Sequence, residues 1–315
     1  MKKTDSIFIA GHNGLVGNSV LNLLVKNGYQ KIITVDRKKL DLQNYKKVEK
    51  FFKNIKIDYM IMAAARAGGI MANSSNQKDF FLQNIEIQNS LLKLALKKRI
   101  KRTIFLGTSC IYPKFSKTPI KEDSLLTGKL EKTNQCYAIA KIAGIKLCEA
   151  LYEDHNVDIV CLMPTNVYGE NDHFNKVNGH VIPAIISKIE DAKRNKKKKV
   201  KLLGTGKPLR EFIHSEDLAS AILMCMKISQ KIYKKKFNSR LPILNVGTSD
   251  EISIKDLAIL IAKKIGFDGK IVFDKKYPDG TFRKKLNSQK IYSLGWYPKI
   301  KFNVGLKKII DERKK

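Results

Sequence analysis

The chain has 315 residues, 43% of them hydrophobic and 8% aromatic, which is enough apolar material for a sizeable core and excludes a disordered polymer. Lysine and arginine number 61 against 29 acidic residues, a formal charge of +32, yet the basic residues are mostly lysines scattered along the chain. Nucleic-acid readers instead cluster arginine with exposed aromatics, so we read a solvated lysine coat whose field favours small anions and expect no nucleic-acid partner.

The N-terminal MKKTDSIFIAGHNG carries an apolar stretch too short for a secretory signal, and no run approaches the roughly 18 apolar residues that span a bilayer. A cytoplasmic protein without a membrane partner is expected. Cys110, Cys136, Cys148, Cys161 and Cys225 are odd in number and widely spaced, which fits neither a disulfide framework nor a CxxC zinc site. They read as reduced thiols, with no metal.

Short β-branched runs then alternate with longer amphipathic stretches, the rhythm of βαβ units. Strands are predicted at Ser6–Ala10, Ile32–Val35, Tyr59–Ala63, Arg102–Gly107 and Ile159–Met163, and helices at Asn18–Asn27, Phe80–Lys98 and Tyr137–Glu153. Beyond about residue 170 the rhythm loosens. Arg194–Lys201 and Gln230–Arg240 read as solvated loops, and Ile252–Ile265 has helical spacing. The fold class predicted is α/β, a Rossmann-type doubly wound parallel sheet over residues 1–168. A smaller mixed α/β substrate-binding region follows over 169–315, of which 243–262, beginning with Ile243–Gly247, is the part able to return to the main sheet.

Gly11, Gly14 and Gly17 in IFIAGHNGLVG lie between a strand and a helix. Glycine there permits a tight turn and close approach of backbone to a pyrophosphate, while the helix N-terminus supplies unpaired N–H groups. Some twenty residues on, Asp36 suits a ribose 2′-hydroxyl and NAD, whereas Arg37 with Lys38 and Lys39 suits a 2′-phosphate and NADP; both choices stay open. Asp41 falls near the adenine position.

The YxxxK pattern occurs at Tyr137 with Lys141 and at Tyr297 with Lys301. Only Tyr137 opens a helix, since Tyr297 precedes Pro298. An ammonium beside the phenol would lower its pKa toward that of a working acid/base group. Thr108 and Ser109 follow a predicted strand at the carboxyl end of the sheet, where either hydroxyl can meet a substrate carbonyl.

The chain resembles the extended short-chain dehydrogenase/reductase family, and within it the GDP-4-keto-6-deoxymannose 3,5-epimerase/4-reductase branch. The likeness covers nearly the whole length: FIAGHNGLVG, AAARAGGIMAN at 63–73, LGTSCIYPK at 106–114, YAIAKIAGIKLCE at 137–149, MPTNVYG at 163–169, HVIPA at 180–184, GTGKPLREFIH at 204–214 and PDGTFRKKL at 278–286. It implies epimerisation at C3 and C5 of GDP-4-keto-6-deoxy-D-mannose and reduction at C4 by NADPH, with NADH tolerated because of Asp36. The nearest alternative is the same chemistry on another nucleotide-4-keto-hexose.

Inverting two carbons α to a ketone requires acid/base groups on both faces of the sugar. Cys110 and His180 match the family's pair, and Thr108, Tyr137 and Lys141 its hydroxyl–phenol–ammonium set, with Ser109 beside them. The resemblance further implies cofactor contacts from Gly11, Asn13, Gly14, Leu15, Val16, Gly17, Asp36, Arg37, Asp41, Ala64, Tyr137, Lys141, Pro164, Asn166 and His180. It implies substrate contacts from Lys188, Arg210 and Lys284. Asn166 and Asn84 are expected to orient substrate or supporting backbone, and a homodimer is implied through the two long helices.

Overall fold

The structure is a computed structural model that describes residues 1–174, 179–237, 243–277 and 279–313. In chain order the first half runs β1 (Ser6–Ala10), α1 (Leu15–Lys26), β2 (Lys31–Ile33), α2 (Tyr45–Phe51), β3 (Tyr59–Met62), α3 (Ile70–Ser75), α4 (Gln77–Lys97), β4 (Arg102–Leu106), α5 (Gln135–His155), β5 (Ile159–Pro164) and β6 (Asn166–Tyr168). The second half runs α6 (Val181–Arg194), β7 (Lys199–Leu203), β8 (Leu209–His214), α7 (Ser215–Lys227), α8 (Gln230–Phe237), β9 (Ile243–Val246), β10 (Glu251–Ser253), α9 (Ile254–Ile265), β11 (Lys270–Asp274), β12 (Arg283–Lys284), α10 (Gln289–Ser293) and α11 (Phe302–Glu312).

The central sheet is parallel, in the order β2-β1-β3-β4-β5-β9. Its strands are apolar on both faces because helices cover both. Along β1, Phe8 and Ala10 join a core with Leu91 and Leu92 of α4 and Ile145 and Cys148 of α5. Ile7 and Ile9 face the other way, toward Val20 and Leu24 of α1 and Leu218 and Ile222 of α7. Each large side chain so buried contributes roughly 1.5–3 kcal/mol. The period-2 alternation thus sorts one strand's residues into two separate cores.

A third core joins α6, α9 and α11 to β7 and β8 through Ile186, Ile189, Leu202, Phe212, Leu257, Ile261 and Leu306. In this region β8 pairs with β10, β12 and β6, and β7 with β11. The two layers are tied by the buried Glu211 carboxylate on β8. Its oxygens accept the backbone N–H groups of Thr248 and Ser249 after β9 and of Leu286 after β12.

Several expectations need correction. Arg194–Lys201 is not all loop, because Lys199–Leu203 forms β7: Val200 and Leu202 turn inward between solvent-facing lysines, an alternation the lysine run hides. Gln230–Phe237 is a helix whose Tyr233 is buried against the α7 core, while residues 238–240 of the expected loop lie outside the described residues. Ile252–Ile265 divides into β10 and α9, because the Ser253 hydroxyl accepts the Asp256 N–H and so starts the helix there. The second strand ends at Ile33 rather than Val35. The helices α1, α4 and α5 begin two or three residues before their expected starts.

Candidate active site

The carboxyl ends of β1, β3, β4 and β5 meet along one edge of the sheet, and the segments leaving them form the site. Gly11, at φ +86°, turns the chain from β1 toward α1. A Cβ on Gly11 would stand 2.6 Å from the Ala64 nitrogen, and one on Gly17 would stand 2.1 Å from the Gly11 carbonyl oxygen. Gly14 occupies the N-cap of α1 without a side-chain cap, so the first N–H groups of the helix, from Leu15, Val16 and Gly17, are left for an outside acceptor. This cradle fits a dinucleotide pyrophosphate.

Asp36 follows β2 and is tied back to the cradle. Its Oδ1 accepts the Asn13 amide at 2.7 Å and lies 3.5 Å from His12 Nε2. Arg37 beside it is exposed, and Asp41 accepts the backbone and side-chain amides of Gln43. The buried Asn84 of α4 accepts from the Arg66 N–H and donates to the Arg66 and Phe80 carbonyls, so it holds the loop that carries Ala64.

Thr108 leaves β4 and caps the 3₁₀ turn Ser109–Ile111, its hydroxyl oxygen accepting the Cys110 N–H at 3.2 Å. The same hydroxyl is near enough to the Tyr137 phenol to act on its pKa, whereas Ser109 is buried within the turn. Thr108 is therefore the hydroxyl that meets the phenol. Burial pushes the Tyr137 phenol well above its ordinary pKa, the Cys110 sulfur adds to the rise, and the Thr108 hydroxyl opposes it.

The expectation that Lys141 lowers this pKa is not met. Although i and i+4 share a helix face, the buried ammonium is turned to the Leu106 carbonyl at 2.9 Å, and burial lowers its own pKa to about 8.

Cys110 receives the Asn134 amide at 3.2 Å and lies 3.7 Å from the Lys284 ammonium. Arg210 on β8 is near enough to interact electrostatically with the same sulfur. Burial lowers the guanidinium's pKa, with Cys110, Asp279 and Glu131 opposing. Its Nη1 donates to the Leu209 carbonyl. Thr108, Cys110, Tyr137, Arg210 and Lys284 therefore form one group. Pro278, the first residue of the 278–286 motif, lies outside the described residues.

Pro164 ends β5, and Asn166 opens β6 with its amide donated to the Glu211 carbonyl. The chain then turns back onto the cradle: a Cβ on Gly169 would meet Leu15, and the Asn171 amide donates to Asn18 of α1 at 2.6 Å. Next in this turn is the buried Asp172, whose carboxylate holds His180 Nδ1 at 3.0 Å. Burial alone would lower the imidazole pKa, but the Asp172 hydrogen bond and charge override it and the net shift is upward. His180 is the N-cap of α6, and Lys188 sits two turns along that helix, half-buried, its pKa lowered by burial.

Asp172 and Asn134 were not singled out by the sequence. Asp172 and His180 stand eight residues apart with no motif to join them, and an asparagine before a helix reads as an ordinary cap. Away from this group, Glu170, His214 and Glu216 converge within 4.8 Å, but the Lys308 ammonium pairs with both carboxylates there. Among the described residues no helix is long and apolar enough to cross a membrane.

A sequence profile described as NAD dependent epimerase/dehydratase family matches residues 7–247. GDP-L-fucose synthase 1 of Arabidopsis thaliana is 43% identical over 309 residues, 98% of this chain and 93% of its own. GDP-L-fucose synthase of Escherichia coli (strain K12) is 41% identical over 300 residues, 95% and 94% of the two chains. Among solved structures, the GDP-mannoheptose C4 reductase of Campylobacter jejuni with NADP bound is 32% identical and superposes with a TM-score of 0.88, covering 100% of both chains.

Proposed function

The chain belongs to the NAD dependent epimerase/dehydratase family, and from that membership we propose an enzyme that converts GDP-4-keto-6-deoxy-D-mannose to GDP-L-fucose by epimerisation at C3 and C5 and NADPH-dependent reduction at C4. The observation that carries this reading is the thiol of Cys110 beside Thr108 and Tyr137, which puts a second proton-transfer group next to the one a simple reductase needs.

Cys110 takes the proton from C3 and, once its thiol has released that proton to solvent and the imidazole has regained one, from C5; each C–H bond breaks into an enolate delocalised onto the C4 oxygen, and an S–H bond forms. His180 returns a proton to the opposite face. With Nδ1 held by Asp172, its Nε2 is the nitrogen left to face the sugar, and the Asp172 hydrogen bond and charge favour the protonated ring. Thr108 and Tyr137 hydrogen-bond the C4 oxygen through both stages. Lys284 and Arg210 carry positive charge against the enolate and the diphosphate, with Lys188 a further cation on α6.

NADPH, when bound, supplies the hydride for C4. The cradle Gly11, Asn13, Gly14, Leu15, Val16 and Gly17 would hold its pyrophosphate. Arg37 would receive the 2′-phosphate, with Asp36 held by Asn13 and Asp41 nearby, and Ala64, Lys141, Pro164, Asn166 and His180 would line the remainder. Tyr137, kept protonated by its burial, then gives its proton to the C4 oxygen. Lys141, its ammonium given to the Leu106 carbonyl, holds the end of β4 from which Thr108 departs.

A second reading, reduction of a different GDP-4-keto sugar, has the Campylobacter C4 reductase in its favour. Incubating the protein with the 4-keto sugar nucleotide and each reduced cofactor, followed by NMR of the product, decides between them: GDP-L-fucose supports the first reading, and a C4-reduced sugar with unchanged C3 and C5 rejects it.

The protein is also a cytoplasmic homodimer joined through α4 and α5, on which Leu82 and Ile139 are exposed. Sedimentation of a Leu82→Glu, Ile139→Glu double variant as a monomer, against a wild-type dimer, is the expected result.

A further inference from the structure

Asn134 stands at the N-cap of α5, a 21-residue helix, yet its side chain caps nothing. An asparagine in that position ordinarily turns its oxygen to the N–H groups of the first turn. Here the amide nitrogen is given to the Cys110 sulfur at 3.2 Å, and Oδ1 is buried with no hydrogen-bond partner. Both choices cost stability: a cap is forgone, and a buried acceptor is left unsatisfied. Such a local sacrifice next to a reacting atom is expected where function demands it.

The chemistry of the sulfur supplies the demand. Resting on the reading above, Cys110 must alternate between thiolate, which takes the sugar's proton, and thiol, which holds it. A thiolate is stabilised by N–H donors and cations, and the Lys284 ammonium already lies 3.7 Å away. A thiol needs an acceptor for its S–H instead. A primary amide can meet both needs, because a half-turn about its last side-chain bond exchanges Nδ2 for Oδ1. The unsatisfied Oδ1 is the half of the amide that the thiol form would use.

We propose that Asn134 is a positioning residue for the epimerisation base, its amide donating to the Cys110 thiolate and, turned over, accepting from the thiol. No electrons are gained or lost. The proton leaves the sugar carbon for sulfur, the C–H pair passes into the enolate, and the amide changes only its orientation.

The test begins without substrate. Alkylation of Cys110 by iodoacetamide is followed across pH by mass spectrometry of its peptide in wild type, Asn134→Ala and Asn134→Asp, with NADPH binding as the check on folding. Aspartate caps helices as well as asparagine does, so a purely structural role leaves Asn134→Asp unchanged. The expected result is a fall of about tenfold in alkylation rate at neutral pH for Asn134→Asp, whose carboxylate faces the sulfur, and about threefold for Asn134→Ala. Superimposable profiles in all three proteins overturn the proposal.

The second arm measures solvent deuterium entering C3 and C5 of GDP-4-keto-6-deoxy-D-mannose, where kcat for exchange falls about tenfold in Asn134→Asp with little change in KM. Exchange as fast in both variants as in wild type also overturns it. Altered alkylation together with no exchange in wild type supports the amide's hold on the sulfur while rejecting the epimerase reading.

Discussion

Asp172 does for the imidazole what Asn134 does for the thiol, by a different route. A buried carboxylate at 3.0 Å from Nδ1 fixes the tautomer and stabilises the imidazolium, outweighing the burial that favours the neutral ring. Because the folded pKa of His180 is raised, this pair's contribution to stability is complete below the ordinary histidine value of about 6.5 and is lost as pH rises through the folded value. Asn in place of Asp172 removes the charge, so the His180 ring resonances should titrate lower, and the alkaline limb of C3/C5 exchange should move down with them. Equal titration curves would remove Asp172 from the mechanism. Tyr137→Phe should separate the two half-reactions, with C4 reduction falling roughly 10²- to 10⁴-fold while deuterium still enters C3 and C5. Much of this group could be read in the sequence, since Thr108 and Cys110 are neighbours and Tyr137 and Lys141 share a helix. What could not be read were contacts with no motif behind them: Asp172 to His180, Asn134 to Cys110, and the Leu106 carbonyl that takes the Lys141 ammonium.

Among the elements, the strand–glycine–helix cradle was legible because its constraint is local. Gly11 needs a positive φ, and Gly17 lies so near the Gly11 carbonyl that no side chain fits. Gly17→Ala should therefore push α1 away from β1, destabilising the fold by about 1–3 kcal/mol and weakening NADPH binding more than sugar binding. Thermal denaturation and a fluorescence titration with NADPH measure the two effects. Other elements were hidden by their lysines. In Lys199–Leu203 only Val200 and Leu202 face the core, and in Gln230–Phe237 only Tyr233 is buried, so surface charge outweighed a short apolar signal. Tertiary packing, which supplies the partner β11 and the α7 core, fixes these segments.

For the molecule as a whole, the net charge of +32 acts on every anion that approaches, and Arg210, Lys188 and Lys284 focus it at the site. Raising ionic strength should increase KM for the nucleotide sugar while leaving kcat nearly constant, as steady-state kinetics over a salt series will show; a salt-independent KM would assign the lysine coat no part in capture. The alternating rhythm of the first half announced a parallel sheet, but not how often the chain passes between layers. It leaves the sheet after β5, builds α6 and β7, returns through α7 to the far face, and only then lays β9 along β5. During synthesis, the edge of β5 therefore waits, hydrogen-bonding groups bare, until residues far downstream have left the ribosome. A nascent chain stalled anywhere between those two strands presents a sticky seam, which makes that interval the stretch of translation most in need of a chaperone.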